Sequence, residues 1–561
     1  MEKFSQLEYA RPNMEAARAA FQAALDRFEA AATYEEARAA YLECDGATLD
    51  ADTLRSIAHI RNTLDTTDEF YDKEMEYFNE EGPKILPLSK RFLELTLTTP
   101  FRAEFEREFG RHMFDQAELN KRTKRPEIME DLVQEGKLTA DYRKAAAKAK
   151  TIFRGRECNF YGLLKHMESE DRMERKEAFE AWAELYERIS PELDEIFSQL
   201  VKVRDTMAKK LGFPSYTELA YLNRGRMDYT PDDAAKFRRQ VLNVIVPAVD
   251  KLRKRQAERI GVDKLSYYDE NFLLPGGNAD PVGGEDALIP IALKMYREMS
   301  PQTEEFFTFM TDYELFDLTT RPGKHMGGYC SRLPKYKAPF IFSNFNGTAG
   351  DARVLTHEAG HAFAGYTSSR KQILRTYESS TSEINEIHSM AMEYFAYPWM
   401  KDFFGEDKEA DAKYAHMMGE LCNIPYMVCV DEFQHRVYER PEMTAMERRA
   451  VWRELEQKYL PWRDYDTNAF LEEGGFWMQK QHIFMYPFYY IEYALAQVCS
   501  QELYGRMKEN PSAAWSDYLR LCQAGGSLGY FELLKLANLS NPFEAGTVQK
   551  STAHVIAELM A

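Results

Sequence analysis

Val354-Leu355-Thr356-His357-Glu358-Ala359-Gly360-His361-Ala362-Phe363 holds two histidines four residues apart, with a glutamate beside the first. On a helix, positions i and i+4 share a face, so His357 and His361 can direct their imidazoles at one metal ion. Glu358 can reach a water molecule on that ion. Two neutral imidazoles with an adjacent carboxylate base form the arrangement of a zinc hydrolase. The apolar flanks Val354, Leu355, Ala362 and Phe363 suit a helix buried on its other side. A core helix that placed Glu358 between two histidines with no ion would bury an unpaired charge at high cost.

A catalytic zinc keeps three protein ligands and one open position, so a third ligand is expected downstream. The metzincin continuation needs Gly and His where this chain has Ala364 and Thr367, which excludes that class. The remaining candidates are Glu378, Glu383, Glu386 and Glu393. Ser380 and Glu383 have capping-box spacing and predict a helix start, beyond which Glu386 and Glu393 fall two turns apart on one face.

Upstream, Gly327-Gly328-Tyr329-Cys330-Ser331-Arg332 and Ala338–Phe345 read as two short strands with Lys335-Tyr336 in the turn between them. The glycines expose backbone at a strand edge, where an extended peptide can pair; Gly327, Gly328 and Tyr329 are therefore candidate substrate-binding residues. Asn346-Gly347 turns the chain into the histidine helix, with Asp351 near its beginning. Before residue 260 the pattern is almost wholly helical. Pro12-Asn13 opens one helix, Thr33-Tyr34-Glu35-Glu36 has capping-box spacing for the next, and longer runs cover Asp52 to Asn79 and Ser169 to Leu211. The stretch from Leu274 to Gly284 is the clearest loop, leading to a helix entry at Glu285-Asp286.

The 561 residues allow more than one domain, and the net charge of −19 disfavours phosphate backbones and anionic lipid, so neither nucleic acid nor membrane is expected as a partner. No apolar stretch approaches the length of a membrane span. The amino-terminal residues show no basic start followed by an apolar core, and the seven scattered cysteines include no C-x-x-C. Both point to a cytoplasmic protein with reduced thiols.

The histidine motif followed by Glu386, 25 residues beyond His361, resembles the M3 family of zinc oligopeptidases, which includes thimet oligopeptidase, oligoendopeptidase F and the Pz-peptidases. Ser382 to Glu393 is similar to the family's D-F-x-E-x-P-S-x-x-x-E segment, with Glu383 where the family has Asp and His388 where it often has Pro. Pro322 to Tyr329 and Pro339 to Thr348 resemble the oligoendopeptidase F pattern ahead of its metal motif. The resemblance implies Glu386 as the third zinc ligand and Glu393 as a carboxylate orienting a ligand imidazole. His482 followed by a tyrosine-rich stretch resembles the family's carbonyl and oxyanion donors; His482 and Tyr493 match best, with Tyr486, Tyr489 and Tyr490 as rivals. Tyr486, Tyr490 and Tyr493 share a helical face if Pro487 sits in the first turn.

What the resemblance implies is a mainly α, two-lobed zincin-like oligopeptidase with a small β-sheet beside the histidine helix and a deep central channel. A helical lobe is expected over residues 1–260 and a zinc-binding catalytic lobe over 261–561. The expected reaction is hydrolysis of internal bonds of short peptides with one Zn²⁺ per chain, Glu358 taking the proton from water. A carboxypeptidase or dipeptidyl carboxypeptidase would use the same metal site and need Arg332, Lys335 or Lys337 to hold a substrate carboxylate. A helical scaffold with a degenerate metal site is the non-enzymatic alternative.

Overall fold

The computed structural model describes residues 1–561 apart from Asn278, which lies in the loop expected between Leu274 and Gly284. The chain is mainly helical and divides into two compact units, each assembled from three stretches. The first comprises Met1–Lys121, Asp280–Glu409 and Arg506–Leu539; the second comprises Arg122–Ala279, Ala410–Gly505 and Ser540–Ala561. Both units draw on residues from either side of residue 260. No helix among the described residues is long and apolar enough to cross a membrane.

The second unit contains a hairpin with a two-residue turn, β1 (Thr151–Phe153) and β2 (Arg156–Cys158), in a region whose sequence reads as almost wholly helical. Arg154 and Gly155 both have positive φ, 49° and 79°, the combination that matches the twist of a tight hairpin. Around the 39-residue helix Arg172–Lys210, an aromatic core forms from Phe197, Trp477 and Phe484, with the Trp477 and Phe484 rings stacked at 5.3 Å.

The first unit holds a three-stranded sheet of β3 (Phe316–Thr319), β4 (Tyr329–Leu333) and β5 (Ala338–Phe345), in the order β3-β5-β4. The antiparallel β4–β5 pair matches the two expected strands, although the strand starts at Tyr329 and Gly327 lies outside it with φ 94°. The connection is a 3-10 turn, Pro334–Tyr336, closed by Lys337 in a left-handed conformation. β3, parallel to β5, is an element with no expectation behind it. β5 is the buried middle strand, and the Gly350–Lys371 helix packs on it and on β4.

Two boundaries differ from the sequence reading. The run from Asp52 to Asn79 is two helices, Leu49–Leu64 and Glu69–Glu81. Asp65 Oδ1 accepts from the backbone N and hydroxyl of Thr67 at 2.9 and 2.6 Å, and Asp68 caps Phe70 N at 2.8 Å. Short acidic side chains thus offer the backbone a turn in place of a helix. The Ser380–Glu383 capping box does not form: the Ser382–Phe395 helix has Thr381 at its N-cap, and Ser380 Oγ donates to the Gly525 carbonyl instead. The Thr33 capping box with Glu36 is present in full. Helix entry at Glu285 is also observed.

Packing ties the amino-terminal helices to the segment between the two metal-site helices. Phe21, Leu25, Phe28, Tyr41, Phe105 and Phe109 form one buried cluster with Leu374 and Tyr377, and Tyr377 donates to the Phe109 carbonyl at 2.9 Å.

Candidate metal centre

The Gly350–Lys371 helix buries Leu355, Ala359, Ala362 and Phe363 completely and leaves His357 and His361 partly exposed on another face. Asp351 fixes its entry by accepting from Asn346 N at 3.1 Å and Gly347 N at 2.8 Å. The neighbouring Ser382–Phe395 helix is buried over nearly its whole length and carries Glu386 and Glu393 on the side facing the histidines.

These two helices approach unusually closely at Gly360. A Cβ there would lie 2.6 Å from the His388 carbonyl oxygen and 2.6 Å from Ser389 Cα. Both contacts are with backbone, so no side-chain rotation relieves them. The absence of a side chain at the fourth residue of the motif is what brings Glu386 within reach of both imidazoles.

Glu386 Oε2 stands 3.7 Å from His357 Nε2 and 3.6 Å from His361 Nε2, and the two rings are almost perpendicular at 84°. Metal–ligand bonds of about 2.0–2.1 Å at tetrahedral angles separate ligand atoms by roughly 3.3 Å. The three side chains therefore fit one divalent ion with a nitrogen, nitrogen, oxygen donor set. Their ligand atoms all lie within 4.8 Å of one another.

The far side of each ring is also held. Glu393 Oε1 receives His357 Nδ1 at 2.7 Å, and Arg353 Nε donates to Glu393 Oε2 at 3.1 Å. His361 is hydrogen-bonded to the Asn385 backbone. With Nδ1 of His357 engaged by Glu393, Nε2 is the nitrogen turned to a metal, the usual device for presenting histidine to one. Burial lowers the His357 pKa, but Glu393, Glu386 and Glu358 outweigh it and raise it to about 9. His361, without such a carboxylate bond, is pushed down by burial to about 4. Burial drives the Glu358 carboxyl up to about 7, with His357 opposing and the Glu386 and Glu393 charges adding.

Among the other downstream carboxylates, Glu378 lies 3.6 Å from Arg332 Nη1, and Glu383 is buried. His388 is buried, its carbonyl accepts from Tyr518 OH at 2.8 Å, and burial holds its pKa down to about 3. Arg332 and Lys335 both have acidic neighbours, Glu378 and Asp50. The sequence reading singled out neither Arg353 nor Gly360. Arg353 lies one helical turn before His357, where a basic residue looks like any solvated position.

At the sheet, β4 pairs only with β5 among the described residues. The Gly327 carbonyl accepts from Asn344 Nδ2 at 2.8 Å, and a Cβ on Gly328 would meet the Phe342 carbonyl at 3.4 Å. Tyr329 stacks on Phe342 at 4.8 Å and shares a 2.6 Å hydrogen bond with the Thr63 hydroxyl. Cys330 is close enough to Glu358 for the carboxylate's charge to add to burial in raising its thiol pKa.

His482 and the tyrosines belong to the second unit. His482 lies parallel to Tyr489 at 5.7 Å and contacts Tyr486, Tyr490 and Tyr493 at 6.0, 5.0 and 6.1 Å. Burial, Lys480 and Arg224 together lower its pKa to about 4, so the ring is neutral. The shared helical face is a correction: the Tyr490–Glu509 helix starts after Pro487, and Tyr486 lies before it, outside the helix. Phe488 takes φ 62°, and the Arg226 guanidinium holds its carbonyl. Only Tyr490 and Tyr493 remain on the helix together.

Residues 4–124 match the model of the peptidase M3 N-terminal domain, and residues 165–275 and 304–552 match that of peptidase family M3. The chain is 22% identical to oligopeptidase PepF of Bacillus subtilis over 68% of its own length and 57% of that protein. It is 24% identical to group B oligopeptidase PepB of Streptococcus agalactiae over 66% of this chain and 60% of that one. The match thus spans about three fifths of these curated relatives. Among solved structures, Pz peptidase A with an inhibitor is 47% identical, with TM-score 0.93 over 100% of this chain and 99% of that chain. Oligoendopeptidase F from Enterococcus faecium shares the fold, with TM-score 0.62 at 17% identity over 97% of each chain.

Proposed function

The chain belongs to peptidase family M3, and from that premise we propose that it is a zinc endopeptidase that hydrolyses internal bonds of short peptides. The convergence of His357, His361 and Glu386 beside Glu358 carries this reading. Held there, Zn²⁺ would supply Lewis-acid polarisation of the scissile carbonyl and acidify a water molecule. The Glu358 carboxylate accepts the proton of the attacking water and delivers it to the departing amine. Glu393, braced by Arg353, keeps the His357 proton on Nδ1, and the Asn385 backbone orients His361.

In the same reading His482 and Tyr493 donate hydrogen bonds to a substrate carbonyl and to the developing oxyanion. What supports this is a neutral imidazole packed on four tyrosine rings. Tyr486, Tyr489 and Tyr490 line the same strip. The unpaired edge of β4, with Gly327, Gly328 and Tyr329, receives the peptide backbone. Of the three cations a carboxypeptidase would use, Arg332 and Lys335 have acidic partners, Glu378 and Asp50, which leaves Lys337 alone for a substrate carboxylate and disfavours that reading. Seven free cysteines support a reducing, cytoplasmic setting.

The reading is tested with an internally quenched peptide blocked at both ends. Turnover that a chelator abolishes and stoichiometric Zn²⁺ restores is the expected result. Cleavage restricted to peptides with a free end would remove the endopeptidase assignment, and chelator-resistant cleavage would remove the metal.

A further inference from the structure

The open edge of β4 has two sides, and one of them faces the candidate metal centre. Ile341 N donates to the Leu315 carbonyl at 3.0 Å, so it points away from β4. Ile341 is paired with Cys330, and that pair therefore exchanges no hydrogen bonds; the N–H and C=O of Cys330 point to the open edge. Gly328, Cys330 and Arg332 alternate onto the face of the Gly350–Lys371 helix. A Cβ on Gly328 would meet Val354 Cγ1 at 3.8 Å, and one on Gly365 would meet Arg332 Nε at 3.6 Å. Val354 and Gly365 share a helical face with Glu358, one turn before it and two turns after. Cys330, between them, is level with Glu358. The edge thus runs past the metal site within the first unit.

Tyr329 and Ser331 face the other way, and Tyr329 meets the Leu49–Leu64 helix. That helix is pinned along β4: Thr53 Oγ1 accepts from Lys335 N at 2.9 Å, and the Thr63 hydroxyl meets Tyr329 OH at 2.6 Å. Arg55, His59 and Thr63 follow at i, i+4 and i+8 and make one stripe. The His59 ring is 5.6 Å from the Tyr329 ring. Arg55 and His59 are exposed, and neither has a carboxylate or hydrogen-bond partner among the described residues. Asp52, one turn before Arg55, is taken by Thr48 and Arg375 at 2.7 and 2.8 Å. His325 brings a third basic group: its backbone N donates to the Thr63 carbonyl at 2.8 Å, and its carbonyl accepts from Asn344 Nδ2 at 2.9 Å. Partial burial, Arg55 and His325 lower the His59 pKa, with no carboxylate opposing them. An exposed arginine is ordinary by itself; three basic groups gathered at the start of an open strand make a site with a definite register.

We propose that Arg55 and His59 form a specificity subsite for an acidic side chain of the bound peptide, one that lies beside Tyr329 on the face away from Glu358. This rests on the reading of the β4 edge as the place where the peptide backbone pairs, and it adds a charge preference to that reading. Side chains of an added strand alternate between the two faces, and one set directly against Tyr329 has its Cβ about 5 Å from the tyrosine's. An Asp or Glu there comes within reach of the His59 N–H and the Arg55 guanidinium, whose donors match the lone pairs of a carboxylate. Its two chain neighbours point to the other face, away from Arg55 and His59.

The experiment uses the intact zinc-loaded enzyme and quenched peptides blocked at both ends, so that no terminal carboxylate competes. Asp or Asn is placed in turn at each position flanking the scissile bond. Asp is expected to exceed Asn by about tenfold in kcat/KM at one position, mostly through KM, as a charge-assisted hydrogen bond allows. The positions on either side of it are expected to show no such advantage. The ratio should fall with added salt. It should rise as pH drops below about 6.5, where His59 gains its proton while the Asp side chain stays ionised to about pH 4. It should approach one in the double variant Arg55→Gln, His59→Gln and persist in Arg55→Lys. Equal rates on Asp and Asn at every position overturn the subsite, as does a preference that survives in the double variant. An Asp advantage of equal size at adjacent positions overturns the strand pairing and the subsite with it. Peptides left uncleaved remove the peptidase reading as well, a result distinct from cleavage indifferent to charge.

Discussion

At the scale of single residues, the candidate metal site has partners behind its histidines as well as the three side chains that would hold an ion. His357 Nδ1 is fixed by Glu393, and Glu393 in turn by Arg353. Glu393→Gln should weaken zinc binding by about 10–100-fold, measured by competition with a chromogenic chelator. An unchanged affinity would show that the 2.7 Å contact does not orient the ring. The paired histidines were legible in the sequence from their i, i+4 spacing, whereas spacing left four downstream carboxylates open and only the family resemblance singled out Glu386. Arg353 was not legible, because its role appears only once Glu393 stands opposite it on another helix. The tyrosine cluster was half legible. Its composition predicted three tyrosines on one helical face, but Phe488 takes a positive φ just before the helix, with its carbonyl bonded by Arg226 far away in sequence, and Tyr486 lies outside the helix.

At the scale of elements, the decisive feature is the crossing of the Gly350–Lys371 and Ser382–Phe395 helices. Gly360→Ala would place a methyl 2.6 Å from two backbone atoms. The helices must then separate, at a cost of roughly 1–3 kcal/mol for overpacking, and Glu386 moves away from the imidazoles. The expected result is faster zinc loss to a chelator together with a lower melting temperature. A variant that melts earlier yet holds zinc as firmly would mean that ligand geometry does not depend on this approach. The histidine helix, β4 and β5 were readable because each has a clear period and clear boundaries. β3 has four residues and β1 and β2 three each, too short for periodicity to register. The break at Asp65 was missed because its helix formers continue on both sides, and the turn is made by acidic side chains bonding their own backbone.

At the scale of the whole molecule, each unit is built from three stretches that are not consecutive in the chain, and no local signal in a sequence encodes such pairing. Global stability carries a testable mark of one buried histidine. His435 is lowered to about 4 by burial, with Asp431 and Glu432 opposing and Arg238 and Arg226 adding to the effect, and its Nε2 is 3.1 Å from Tyr221 OH. Between about pH 6.5 and 4 the unfolded chain binds a proton there that the folded chain does not. Stability is therefore complete above pH 6.5 and falls with pH by up to about 1.4 kcal/mol per unit from this group. Denaturation midpoints measured from pH 7 to 5 should drop less steeply in His435→Gln than in the unaltered protein; parallel slopes would remove His435 as a contributor. The central claim, that this chain hydrolyses peptides with Glu358 as the base beside a His357, His361 and Glu386 metal site, is tested most directly by Glu358→Gln. Zinc content and turnover of a doubly blocked quenched peptide are measured on the same purified sample. The account predicts one zinc per chain and a loss of kcat of at least about a hundredfold; full activity with zinc bound would contradict it.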